Sequence, residues 1–131
     1  MSKYRIPSDI PKQDYLAAIH WCLRYPLWKA EIELIPDTSK AIEYDKDHVQ
    51  TSNDFDPVST LAIRRVEISR KMTLLEDTIR RYVEEPMFKF MLLGIGYGYK
   101  EIQLSELEMP CGKKYYYDRR RKILKDIAQK I

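Results

Sequence analysis

The segment MPCGKKYYYDRRRKILKDIAQKI, residues 109–131, decides how the chain is read. Its spacing predicts a helix over 111–129, entered through the four-residue turn Met109-Pro110-Cys111-Gly112. On that helix Tyr116, Arg120, Ile123, Leu124 and Ile127 recur at three-or-four spacing and share one face. Lys114, Tyr115, Asp118, Arg121, Lys122 and Lys125 fall on the opposite face, with Arg119 at the border. One side of the helix is thus suited to a core and the other to an anionic partner.

Charge along the chain sharpens this reading. The net charge is only +3, and residues 1–83 are neutral, with 13 Lys/Arg against 13 Asp/Glu. Residues 84–110 sum to −3, whereas Cys111 to Ile131 carry eight basic residues against Asp118 and Asp126, a balance of +6. A positive field of that density attracts a polyanion and releases its condensed counterions on binding. The alternative for such a segment is a solvated helix face that complements the helix dipole.

Upstream, Pro86 opens an apolar helix through Leu93 that ends at the glycines of GIGYG, 94–98. A second helix is predicted over 99–108, in YKEIQLSELE. With the basic helix these form three short helices, the second and third joined by a turn, which is the layout of a helix-turn-helix DNA-binding domain over 84–131. In that geometry the N-terminal residues of the third helix reach base edges in the major groove, so Lys113, Lys114 and Tyr115 are candidates for base contact and Asp118 a further one. Arg119, Arg121, Lys122 and Lys125 lie further along and suit phosphates.

Residues 1–83 read as an N-terminal helical region. Tyr15, Leu16, Ile19, Leu23 and Trp28 predict two helices over 11–25 and 27–35, broken at Tyr25-Pro26. The polar stretch from Pro36 to Asp56 reads as a loop of roughly 20 residues. Asp56-Pro57 is a helix start, and Val58, Leu61, Ile68, Met72, Leu75, Ile79 and Tyr82 predict one long helix over 57–82, its stripe interrupted by Arg65. A helix of that length buries its stripe against the N-terminal helices or a second copy of itself, and the first is the expectation here. The fold class is therefore all-α.

Other chemistries lack support in the sequence. The GIGYG run has the spacing of neither nucleotide fingerprint and follows a helix rather than a strand. Asp45, Asp47, His48, Asp54 and Asp56 break the register of a calcium loop at Val49. His20 beside Trp21 reads as a packed residue. No nucleophile or carboxylate pair has a positioned partner, so neither enzymatic activity nor a cofactor or metal is expected. Cys22 and Cys111 cannot by themselves build a disulfide framework or a zinc site and are expected to be reduced thiols. The longest uncharged stretch, Phe90 to Tyr99, is too short to cross a bilayer, and the charged, proline-broken N-terminus leads to the expectation of a cytoplasmic protein.

Several segments together resemble the RinA and ArpU type of phage and prophage transcriptional regulators, which are sigma-factor-like. They are Tyr25-Pro26-Leu27-Trp28-Lys29, the Asp37-Thr38-Ser39 turn, Asp56-Pro57-Val58, and above all Met109 through Lys122. The resemblance implies a helix-turn-helix similar to sigma region 4, recognition of promoter double-stranded DNA, and cooperation with host RNA polymerase in late, packaging or lysis gene expression. The N-terminal half would then contact polymerase or form a homodimer. Two rival readings are a small terminase subunit, which would assemble into rings, and a protein-interaction module whose basic helix meets an acidic patch on a host factor.

Overall fold

The computed structural model describes residues 9–35 and 57–131, and every regular element among them is an α-helix. They are α1 (Lys12–Cys22), α2 (Tyr25–Leu34), α3 (Pro57–Tyr82), α4 (Met87–Ile95), α5 (Glu101–Glu106) and α6 (Lys113–Lys130). The expected polar loop and its acidic residues lie outside the described residues.

The break between α1 and α2 falls at Leu23-Arg24, two residues before the expected Tyr25-Pro26. Pro26 sits in the first turn of α2, where its missing N–H costs no helical bond and its fixed φ suits the helix. The long helix α3 has the bounds its periodicity predicts. Ile68, Leu75 and Ile79 are fully buried, Met72 and Tyr82 are partly so, and Leu61 stays 37% exposed. Arg65, the apparent flaw in the stripe, closes the end of α2 instead: its Nη1 donates to the carbonyls of Ile32 (3.1 Å) and Ile35 (3.2 Å). Those carbonyls belong to the last turn, where intrahelical donors run out. The expectation that α3 packs against the N-terminal helices is met by α2, and the Tyr25 hydroxyl adds a 2.5 Å bond to Glu76 Oε2.

One cluster of buried side chains runs through all six helices, from Tyr15 and Cys22 on α1 through Ile68 and Leu75 to Met91, Leu104, Tyr116, Ile123, Leu124 and Ile127. Helix α6 supplies the last four and packs on α1, α3 and α4, whereas α5 packs mainly on α4. Burying each large apolar side chain contributes about 1.5–3 kcal/mol, so the inner face of α6 is a main anchor of the fold.

Helix α4 runs on past the point where the glycines were expected to stop it. Gly94 lies within it and the C-cap is Gly96. The reason is packing: a Cβ at Gly94 would overlap the Tyr116 hydroxyl and press on Leu104. Glycine at 94 therefore lets α4 and α6 approach closely. Gly94→Ala is expected to destabilise the protein by about 1–3 kcal/mol, in the manner of an overpacked core. Chemical denaturation of Gly94→Ala, Tyr116→Phe and the double variant should show coupling, with part of the loss recovered when the hydroxyl is removed; strict additivity would contradict this packing account.

Candidate nucleic-acid interface

The connection into the basic helix is longer than the four residues expected, spanning 107–112 between α5 and α6. Helix α5 ends in a Schellman-type closure, with the Glu108 N–H bonded to the Ser105 carbonyl (3.0 Å) and the Met109 N–H to that of Leu104 (3.1 Å). Glu108 takes the left-handed position at φ 66°, usually filled by glycine, so the sequence gives no sign that the turn begins there. Met109 follows and packs against the core cluster. Gly112 then enters α6 in extended conformation and offers no side-chain cap, leaving the first amides of the helix open to a partner.

The two faces of α6 separate as the spacing predicts. Tyr116, Arg120, Ile123, Leu124 and Ile127 are buried, and Lys113, Lys114, Tyr115 and Lys122 are exposed. Lys113 and Lys114 make no ion pair among the described residues, so the N-terminal end of α6 presents two solvated ammonium groups. One turn further, Asp118 stands between Arg121 (3.8 Å) and Lys122 (3.4 Å). These are long, half-exposed pairs of the kind that contribute about 0–1 kcal/mol. They hold the two cations in place at little cost to exchange for phosphate. Lys125 is paired with Asp9, just before α1. Arg119 lies over the Tyr115 ring, its guanidinium 5.0 Å from the centroid, and its buried Nε lacks a hydrogen-bond partner. Tyr115 and Arg119 therefore form one stacked unit.

Two features beside α6 escaped sequence reasoning. Arg80 and Arg81, the basic pair ending α3, line with Cys111, Tyr115 and Arg119 a cleft of about 670 Å³ beside the start of α6. Arg80 sits over the Phe88 ring at 4.3 Å. Asp126 binds α6 to α3: its Oδ2 accepts from Arg81 Nη1 and the Tyr82 hydroxyl, each at 2.9 Å, and its Oδ1 faces Lys130 Nζ at 3.1 Å. A doublet of arginines at a helix end was the only signal for the first, and none existed for the second.

Neither thiol is reactive in character. Burial pushes Cys22 up to about 12, Arg120 opposing it, and burial followed by the Glu101 charge also raises Cys111. Both are free. His20, expected to be packed, is exposed on α1. Among the described residues no group of His, Cys, Asp and Glu could hold a metal ion, and no helix is long and apolar enough to cross a membrane. No protein-family model, curated protein or solved structure matches the chain.

Burial acts to raise the Asp126 carboxyl, but Lys130 and Tyr82, with Arg81, outweigh it and hold it below the ordinary 3.8. The depressed value means that the ionised carboxylate stabilises the fold above pH 3.8 and that this contribution is lost as pH falls through the lowered value. Asp126→Asn is expected to cost about 1–3 kcal/mol at pH 7. The gap from the wild type should close below pH 3.8 in urea titrations; a gap independent of pH would remove Asp126 from this role.

Proposed function

We propose that this chain is a sequence-specific DNA-binding transcriptional regulator of the phage type, with α6 docking in the major groove. The observation that carries the reading is the outer face of α6: Lys114, Arg121, Lys122 and Lys125 share it with one acid, Asp118, with Lys113 exposed at the helix start and Arg119 at the border, on a helix whose other face is held in the core. A helix of this kind fits the groove of B-form DNA. Lys113 and Lys114 reach the O6 and N7 atoms of guanine, Tyr115 packs on base edges, and Asp118 is the candidate for a cytosine amino group. Arg121 and Lys122 contact phosphates, joined by Arg119 and Lys125 once Lys125 exchanges Asp9 for the DNA backbone. The resemblance to RinA and ArpU regulators supplies the rest of the proposal: promoter DNA of late, packaging or lysis genes, and host RNA polymerase as a partner of the N-terminal helices or a second copy bound through them. The reaction site of an enzyme has no part in it.

Fluorescence anisotropy with a mixed pool of duplex DNA from the same genome tests this. With about four phosphate contacts, affinity should fall on the order of 100-fold between 50 and 200 mM salt. A Lys114/Arg121/Lys122 triple-alanine variant should lose most of the affinity and flatten the salt slope. Asp118→Asn should raise non-specific affinity several-fold, because it frees Arg121 and Lys122. Absence of binding at low salt by the folded protein would overturn the proposal and favour a protein partner; an assembly of eight or more copies would favour DNA packaging.

A further inference from the structure

The cleft beside the start of α6 runs along one flank of that helix. Lys114, Asp118, Arg121 and Lys125 centre the outward face, and Tyr115 lies about a quarter turn round from it, with Arg119 a little further. Tyr115 and Arg119 line the cleft, and Arg80 and Arg81, at the end of α3, line it with them. Arginines from two helices distant in sequence thus meet along the border of the proposed DNA surface.

These arginines differ in what they have left to offer. Arg81 is held by Asp126 at 2.9 Å and is not available. Arg80 sits over the Phe88 ring, its pair with Asp77 is 3.7 Å long, and its side chain is 54% exposed. Arg119 is arranged alike over Tyr115. Its Nε is buried without a partner, while its terminal nitrogens reach water and bond to no acceptor among the described residues. Contact with a ring takes up no carboxylate or carbonyl oxygen, so the N–H fork of each guanidinium stays open to phosphate oxygens. Glu84 and Glu85 line the same cleft, but both are exposed and neither makes an ion pair among the described residues. Their pull on the arginines is screened by water and salt.

The major groove of B-form DNA is about 12 Å wide and a helix with its side chains about 10–12 Å across, so a helix lying in the groove has a phosphate backbone along each flank. We infer that one DNA strand runs past this cleft, with a backbone phosphate held between Arg80 and Arg119. The inference rests on the docking of α6 in the groove. It extends the DNA surface beyond residues 84–131 to the end of α3. The test is the duplex titration at several salt concentrations with the full chain carrying Arg80→Met, which keeps an apolar side chain over Phe88. Lys29→Met, at an exposed cation of α2 that does not line the cleft, is the control. Arg80→Met should weaken binding to every duplex alike, on the order of fivefold to tenfold at 100 mM salt, and reduce the salt slope by about one, with the helical circular dichroism unchanged. Arg119→Met should do the same, and Lys29→Met should change neither affinity nor slope. If Arg80→Met does not fold, Arg80→Gln decides the matter. An unchanged slope in the Arg80 variant, or an equal loss in Lys29→Met, would overturn the inference while the docking of α6 stands. No duplex binding by the folded wild type would overturn both.

Discussion

Everything in this structure depends on how the inner face of α6 is held. Tyr116, Ile123, Leu124 and Ile127 are buried to 2% exposure or less, against helices drawn from both halves of the sequence. Because a helix is rigid about its own axis, fixing these four inner positions also fixes the direction of every outer one. Lys114, Asp118, Arg121, Lys122 and Lys125 then face solvent as a consequence of core packing. The Tyr116 hydroxyl against Gly94 sets the distance between α4 and α6, and the carboxylate of Asp126 sets the distance to α3. Rotation and height of the basic helix are thus determined by apolar contacts and pinned by one polar hub.

The cations of α6 divide by how strongly the protein itself uses them. Lys130 and Arg120 are spent on the fold, one at Asp126 and the other within the core. Lys125 is paired with Asp9, and Arg121 and Lys122 share Asp118. Lys113 and Lys114 stand at the uncapped start of the helix. Positive charge available to an outside anion therefore increases toward the N-terminal end of α6, the end that reaches base edges when a helix enters a major groove. The helix dipole has the same sign there and adds to it.

Much of the fold was legible because it rests on local pattern. A proline start and a three-or-four stripe were enough for α3, and the alternation of apolar and basic residues was enough for the two faces of α6. Where reading failed, the cause was tertiary. Arg65 looks like a defect until the carbonyls ending α2 are beside it. Gly94 looks like a helix terminator until Tyr116 is placed against it. The turn at 107–112 starts with Glu108 in a conformation that normally signals itself with glycine, so its first residues were read as helix. Asp9 with Lys125 and Arg81 with Asp126 join residues 116 and 45 positions apart, and no window of sequence contains both members.

The central claim is that one helix is core on its inner side and a DNA surface on its outer side. Two-dimensional NMR of the labelled protein, titrated with duplex DNA, tests it most directly. The account predicts shifts concentrated at Lys113, Lys114, Tyr115, Arg121 and Lys122, with amide exchange at Ile123, Leu124 and Ile127 as slow in the complex as in the free protein. Shifts gathered instead on the exposed side of α3 around Ile63 and Val66, or loss of exchange protection along α6 on binding, would contradict it.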